Sequence, residues 1–344
     1  MKPILTIAIP TFNRPREVEN RLIELSKLKS DMQKEIEILI CDNGHEQFQK
    51  SAIPENGLVI NHFLQTKNVG LGNNINSCIL NASGTFIWLV SDDDHFLTEN
   101  LTELIQRLKV SHSDIILLKE ISENFDLKSS NSFSDVDKWW TASIFISACI
   151  YRTSRAEETI TNLKNEINPT YQQVLIALML LNKNKIWAEL WKNIFVQDTL
   201  TAKNYNYKAA ISVRIIDLLL LEKQILKFSF KNKQIENVTD YINSNIVGYT
   251  YQLAHEFNQR NECLYFIKSL IKYSQSFLLT KKRCFAVLFA LITFSLGLIH
   301  NYFSRFFVAS TFKLLKIPTP KMSFDNKSPN SIDTSASRVG YGHD

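Results

Sequence analysis

Cysteine is sparse and scattered in this chain of 344 residues. Its five cysteines (Cys41, Cys78, Cys149, Cys263, Cys284) form no CxxC pair and no Cys/His spacing, so neither a zinc site nor a disulfide framework is indicated and a reducing compartment fits best. There is no GxGxxG dinucleotide loop and no Walker phosphate loop, which removes the two commonest glycine-rich nucleotide cradles. The N-terminal apolar stretch, Ile4–Ile9, is too short for a signal-peptide core and runs into Pro10 and Arg14, so export is not expected. No internal repeat is visible. Acidic residues are missing from one long segment, Lys281–Lys316, which carries six bases.

With 45% hydrophobic and 21% charged residues the chain can bury a substantial core, and a net charge of +5 is modest. Hydrophobic patterning predicts an alternation of strands and helices. Ile4–Ile9 is rich in β-branched residues and ends at Pro10, which cannot donate to a sheet ladder. Arg16–Lys29 carries Val18, Leu22, Leu25 and Leu28 on one helical face. Glu37–Cys41 and Leu58–Phe63 read as strands, with Asp42-Asn43-Gly44 a turn between them. A helix is expected from about Asn74 to Asn81, closed by Ala82-Ser83-Gly84. Leu101–Val110 and Tyr171–Leu181 read as helices, Asp114–Lys119 and Phe145–Tyr151 as strands, and Glu120–Trp140 as a long polar loop. Beyond Asn204 the pattern is helical, clearest at Ile211–Leu226 and Thr239–Phe257. Such an alternation predicts a mostly parallel sheet with helices on both faces.

The organising stretch is Thr85–Leu97, TFIWLVSDDDHFL. Its continuous apolar run suits a strand buried on both faces, and Asp92, Asp93 and Asp94 then stand at the strand's C-terminal edge. In an open α/β sheet that edge binds ligands, and hard oxygen donors there suit Mg²⁺ or Mn²⁺ bridging to phosphates. A solvated acidic turn capping the next helix explains the three aspartates taken alone equally well. Two further polar clusters, Thr11–Arg14 and Asp42-Asn43, also follow predicted strands, so a parallel sheet would gather all three along one edge.

In these residues the sequence resembles the nucleotide-sugar-dependent glycosyltransferases of the family-2 type, which have the A-type glycosyltransferase fold. The resemblance rests on IAIPTFNR (Ile7–Arg14), ILICDNG (Ile38–Gly44), NVGLGNNI (Asn68–Ile75) and ASGTFIWLVSDDD (Ala82–Asp94), matching in order and spacing over roughly the first 120 residues. It looks closest to the abequosyltransferase-like branch that adds sugars during O-antigen or capsule synthesis. What the resemblance implies is transfer of a sugar from a nucleotide diphosphate to a hydroxyl, inverting the anomeric carbon. It makes Pro10, Thr11, Asn13 and Arg14 one wall of a nucleotide pocket, with Asp42 accepting hydrogen bonds from the base or ribose. It brings Asn68, Gly70 and Asn74 to the nucleotide, with glycine allowing close backbone approach. Asp92 and Asp94 become the outer carboxylates of a DXD motif, Asp92 and Asp93 near the nucleotide-sugar and Asp94 with Asp92 on the metal. Turn and helix-cap roles account for Asp42, Asn68 and Asn74 individually.

The sequence departs from the family at one place. Members often carry an acidic pair opening the helix that here begins near Tyr171, but this chain reads Asn168-Pro169-Thr170-Tyr171-Gln172-Gln173. Asp137, Glu158 and Glu166 are the candidate bases, with Asp135 and Glu157 nearby, and Trp139 and Trp140 are candidates for stacking on an acceptor sugar. A catalytically inactive nucleotide-sugar-binding or scaffolding subunit of the same fold is therefore the alternative. A nucleotidyltransferase fits less well, because PTFNRP lacks the glycine-rich basic loop usual after the first strand.

Cys284–Ile299 holds sixteen uncharged, mostly apolar residues behind Lys281-Lys282-Arg283. As a helix it would be about 24 Å long, short of a hydrocarbon core about 30 Å thick. The next stretch, Tyr302–Leu315, puts Phe303, Phe306, Phe307 and Leu314 near one face. An interfacial anchor at an anionic membrane fits both halves, ahead of a short spanning helix and a buried core helix. The expected organisation is a catalytic domain over 1–200, a helical extension over 201–280, a basic apolar membrane-associating segment over 281–318 and a disordered tail over 319–344. The resemblance adds a polyprenyl-diphosphate-linked glycan acceptor, a cytoplasmic position at the inner face of the cell membrane and no nucleic-acid partner.

Overall fold

The computed structural model describes residues 2–44, 57–119, 143–163, 171–182, 188–192, 195–197, 207–228 and 238–242. They build three layers. The middle layer is a seven-stranded sheet in the order β3-β2-β1-β4-β7-β6-β8. Its strands are β1 (Leu5–Thr11), β2 (Ile36–Asp42), β3 (Val59–Leu64), β4 (Phe86–Leu89), β6 (Ile115–Lys119), β7 (Cys149–Arg152) and β8 (Ala188–Lys192). The pairs β1–β2, β2–β3, β1–β4 and β6–β8 are parallel, while β7 is antiparallel to both its neighbours. A separate two-stranded ribbon pairs β5 (Asp94–Phe96) with β9 (Phe195–Gln197).

Strand alternation divides the core into two faces. Leu5, Ile7 and Ile9 of β1 point to one side with Ile38, Ile40, Phe86 and Trp88, and α1 (Pro15–Ser26) and α4 (Thr98–Val110) cover them with Val18, Leu22, Leu25, Leu101, Leu104 and Leu108. Ala8, Leu39, Ile87, Leu117 and Tyr151 point to the other side. There α3 (Leu71–Asn81), α5 (Thr153–Asn162) and α6 (Gln172–Asn182) pack on them. In α6, Val174 through Leu178 are all buried, as are Leu180 and Leu181. This helix is apolar all round because α7 (Tyr207–Lys227) covers its outer side with Leu218, Leu219, Leu221 and Ile225.

Most expected elements are present, with shifted ends. α3 starts at Leu71 and not at Asn74, because Gly70, with φ of 79°, turns the chain directly into the helix. The expected strand Phe145–Tyr151 is replaced at its start by a 3₁₀ turn, Ile146–Ala148, so β7 begins only at Cys149. The three aspartates do not form a simple turn, since Asp94 opens β5. Helix α1 ends at Ser26, short of the expected end at Lys29, and a separate short helix α2 (Ser30–Gln33) follows. The segments Glu120–Trp140, most of Thr239–Phe257 and everything after residue 242 lie outside the described residues.

Candidate active site

Parallel pairing brings three loop starts together at the C-terminal edge of β2, β1 and β4. Thr11, the last residue of β1, stands opposite Asp42, the last of β2, and the Val90 N–H, just past β4, donates to the Ala8 carbonyl. Asp92 follows two residues later. Its carboxylate accepts from Thr11 Oγ1 at 2.8 Å and from Arg14 Nη1 at 2.6 Å. Arg14 also reaches Asp93 Oδ2 at 3.3 Å, and Ser91 Oγ donates to the other oxygen of Asp93. The β1 loop and the aspartate motif are thus cross-linked by charge-assisted hydrogen bonds.

Asp94 is fixed from two directions. Ser147 Oγ, on the 3₁₀ turn before β7, donates to Asp94 Oδ2. On the other side Arg21 Nη1, from the buried face of α1, donates to the Asp94 carbonyl at 2.6 Å. Glu24 holds Arg21 at 3.1 Å and lies 2.7 Å from His95 Nδ1.

Both Asp92 and Asp94 are buried and titrate high. Burial is the largest cause for Asp92, lifting it to about 6 against the lowering effects of Arg14 and Thr11. For Asp94 burial again lifts the carboxyl to about 6, the Ser147 hydrogen bond opposes it, and the neighbouring Asp93 charge adds to it. Arg14 is itself desolvated, but the charges of Asp92, Asp93 and Glu17 hold its guanidinium above the ordinary value.

Asp42 is buried at the end of β2. Its Oδ1 accepts from the Gly44 N–H at 2.9 Å, and His62 Nε2 on β3 lies 3.4 Å from Oδ2. Gly44 touches the β1 loop so closely that a Cβ would fall 2.6 Å from the Asn13 nitrogen. Asn13 itself has φ of 52°, a left-handed conformation that asparagine tolerates better than most residues. Asn68 lies in the loop before α3, where its Oδ1 accepts from Asn43 Nδ2 at 2.7 Å and from the Gly70 N–H at 2.9 Å. Asn43 Oδ1 in turn accepts from the Val69 N–H. Asn74 is buried, and its Nδ2 donates to the Cys41 carbonyl at 2.8 Å and more weakly to that of Thr11, tying the ends of β2 and β1 together.

All of Pro10, Thr11, Asn13, Arg14, Asp42, Asn68, Gly70, Asn74, Asp92, Asp93 and Asp94 therefore sit on or under one sheet edge. Glu158 does not. It pairs with Arg155, which also binds Asp114 beside the start of β6. That start is at the opposite end of the strands, because β7 is antiparallel to both β4 and β6 and Arg152 pairs with Phe86. Asp135, Asp137, Trp139, Trp140 and Glu166 lie outside the described residues. Gln172 and Gln173, at the place of the acidic pair that the family resemblance leads one to expect, are buried, donating to Asn76 Oδ1 and the Ile144 carbonyl.

Residues 6–171 match the sequence model of glycosyl transferase family 2. This part of the chain is a family-2 glycosyltransferase domain. A Campylobacter jejuni protein named GalNAc(5)-diNAcBac-PP-undecaprenol β-1,3-glucosyltransferase is 27% identical over 146 residues, covering 40% of this chain and 46% of its own. The match thus spans less than half of that relative's length. Among solved structures, S. aureus TarS 1-349 in complex with UDP-GlcNAc superposes with a TM-score of 0.51 at 16% identity, over 91% of this chain and 92% of that one. The mannosyltransferase PcManGT from Pyrobaculum calidifontis, in complex with GDP-Man and Mn²⁺, gives 0.51 at 12% identity, over 92% and 89%. At such identities they show the fold, which is the expected A-type glycosyltransferase architecture.

Ser147, Arg21 and Asn43 are among the residues of this site that the sequence does not mark as functional. Asn43 was within reach, standing inside the cluster after β2. Ser147 and Arg21 act across 53 and 73 residues of chain, and no local pattern marks them.

Proposed function

We propose that this protein transfers a sugar from a nucleoside-diphosphate donor to a hydroxyl of a lipid-linked glycan acceptor in bacterial surface-polysaccharide synthesis, with a divalent cation and inversion at the anomeric carbon. The observation that carries the reading is the convergence of Thr11–Arg14, Asp42 and Asp92–Asp94 on one sheet edge of a family-2 domain. Asp42, Asn68 and Gly70 line the base and ribose end, and Arg14 stands at the diphosphate end.

The carboxylates fit Mg²⁺ or Mn²⁺. They are hard oxygen donors, and their burial makes an added positive charge favourable. Among the described residues no group of three or more His, Cys, Asp or Glu forms a complete cage, so Asp92 and Asp94 would share the cation with oxygens of the diphosphate. A cation held there would supply positive charge against the departing diphosphate. Arg14 offers a second positive charge to the same group. Ser147 and Thr11 keep the two carboxylates from rotating. An acceptor hydroxyl needs a carboxylate base on the side opposite the leaving group; with Glu158 at the far edge, Asp137 and Glu166 are the better candidates.

The C. jejuni relative is named for an undecaprenol-diphosphate acceptor, and Lys281-Lys282-Arg283 precedes the apolar Cys284–Ile299. Both support a protein peripheral to the inner face of the cell membrane, with the catalytic domain over 1–200 joined through 201–280 to an anchoring segment over 281–318. Among the described residues no helix is long and apolar enough to cross a membrane, and Cys284–Ile299 lies outside them.

The test is thermal stabilisation of the full chain by UDP, GDP, CDP and dTDP with Mn²⁺. One nucleotide should raise the unfolding temperature in a metal-dependent way, and Asp42→Ala should lose the shift. No shift with any of them would overturn the nucleotide site.

A further inference from the structure

We propose that Ser147 is the positioning residue that sets the Asp94 carboxylate for cation binding, with Arg21 holding the same residue from behind. The proposal rests on the reading of Asp94 as a metal ligand, and it concerns a residue 53 positions away in sequence.

The geometry leaves Ser147 little freedom. It is fully buried. Its hydroxyl oxygen accepts from the Ser91 N–H at 2.9 Å, and its single proton goes to Asp94 Oδ2. A hydroxyl has one donor and two acceptor positions, so an N–H held against the oxygen steers the proton toward the carboxylate. The Ser147 carbonyl accepts from Trp88 Nε1 at 2.8 Å, and Trp88 is a fully buried residue of β4. The serine is therefore tied to the central strand, to the first residue of the SDDD motif and to the last.

Asp94 is correspondingly fixed. Its N–H donates to the Ser91 carbonyl, its carbonyl accepts from Arg21, and Oδ2 accepts from Ser147. Oδ1 takes no hydrogen bond from the described residues and remains for a cation. Neither Ser147 nor Arg21 touches that position, so both act through Asp94. Partners behind a ligating carboxylate hold its orientation, and their loss commonly lowers metal affinity about 10–100-fold. The same geometry explains why the chain breaks its strand pattern at Ile146–Ala148. A continuous strand would alternate side chains and could not present both the Ser147 hydroxyl and its carbonyl to the end of β4.

The experiment is Mn²⁺ titration of the full chain, followed by loss of the free-ion electron paramagnetic resonance signal, with thermal unfolding recorded for each variant. Ser147→Ala should bind Mn²⁺ at least about tenfold more weakly while unfolding cooperatively, Ser147→Thr should restore binding by keeping the hydroxyl, and Arg21→Lys should fall between them. Ser147→Cys keeps the volume with a poor donor and carries the test should the alanine variant not fold; it too should lose affinity. Wild-type Mn²⁺ affinity in Ser147→Ala or Ser147→Cys, beside lost binding in Asp94→Asn, would overturn the positioning role and leave the metal site standing. Undiminished binding in Asp94→Asn would instead overturn the metal reading and the positioning role with it.

Discussion

Arg14 Nη1 lies 2.6 Å from Asp92 Oδ1, joining the loop after β1 to the motif after β4 across 78 residues. The guanidinium is the cation that the buried Asp92 has at hand, and even so burial keeps this carboxyl titrating at about 6. A carboxylate binds a metal only when deprotonated, so Mn²⁺ affinity should fall as pH drops through about 6. Arg14→Gln removes the lowering influence and should move that midpoint upward. An unchanged midpoint would show that Arg14 does not govern Asp92.

Asp94→Asn should make the cation-free protein more stable. A carboxyl whose folded value is raised to about 6 from 3.8 stabilises the fold fully at low pH, and that contribution is lost as pH rises through 6. At pH 7.5 without metal the charge is thus unfavourable, and the amide should gain on the order of 1–2 kcal/mol. Thermal unfolding with chelator checks this; a variant less stable than wild type at that pH would contradict it.

Asp42→Ala should weaken nucleoside-diphosphate binding about tenfold or more, since a charge-assisted hydrogen bond is worth about 1.5–3 kcal/mol. Its side chain accepts from the Gly44 N–H two residues on and lies near His62 of the neighbouring strand, neither a packing contact of the core, so the fold should survive. Unchanged affinity by calorimetry would return Asp42 to a turn role.

The strands were legible because β1, β2 and β4 are buried on both faces and read as mostly apolar runs, interrupted only by Thr6 and Glu37 near their starts. Their polar endings were legible for the same reason, since Thr11, Asp42 and Asp92 stop apolar runs abruptly. What escaped depends on contacts between distant segments. Ser147 sits in a stretch, FISACIY, whose composition says strand, and only Trp88 and Ser91 pull it into a 3₁₀ turn. Arg21 stands on the apolar face of α1, where a sequence pattern suggests a misplaced surface residue until Asp94 and Glu24 supply its partners. Asn74 was legible as a polar residue near the site, but its amide nitrogen is taken up in joining β1 and β2.

Glu37 should matter to stability and not to binding. It is buried at the sheet edge opposite the site, where burial raises its carboxyl but hydrogen bonds from Thr6, the Ser83 N–H and Asn61 outweigh that and lower it below 4.5. Its contribution is present above pH 4.5 and lost as pH falls through the lowered value. Glu37→Gln should destabilise by about 1–3 kcal/mol at pH 7 and less at pH 4. Equal loss at both pH values would mean its charge is irrelevant.

A chain ending before Lys281 should leave the membrane fraction yet still bind nucleotide. The six bases of Lys281–Lys316 contribute on the order of 1 kcal/mol each near an anionic surface, and salt screens them while leaving apolar burial intact. The full chain should therefore stay with membranes in moderate salt and leave in alkaline wash. Failure of the full chain to sediment with membranes would refute the anchor.

The most direct test of the transferase reading is release of nucleoside diphosphate from a panel of UDP-, GDP-, CDP- and dTDP-sugars by the full chain, with Mn²⁺ and membrane-extracted lipid-linked glycans as acceptor. The account predicts release from one class of donor, abolished by chelator and by Asp94→Asn. Release that persists undiminished in Asp94→Asn, or binding of a nucleotide-sugar with no turnover on any acceptor, would contradict it.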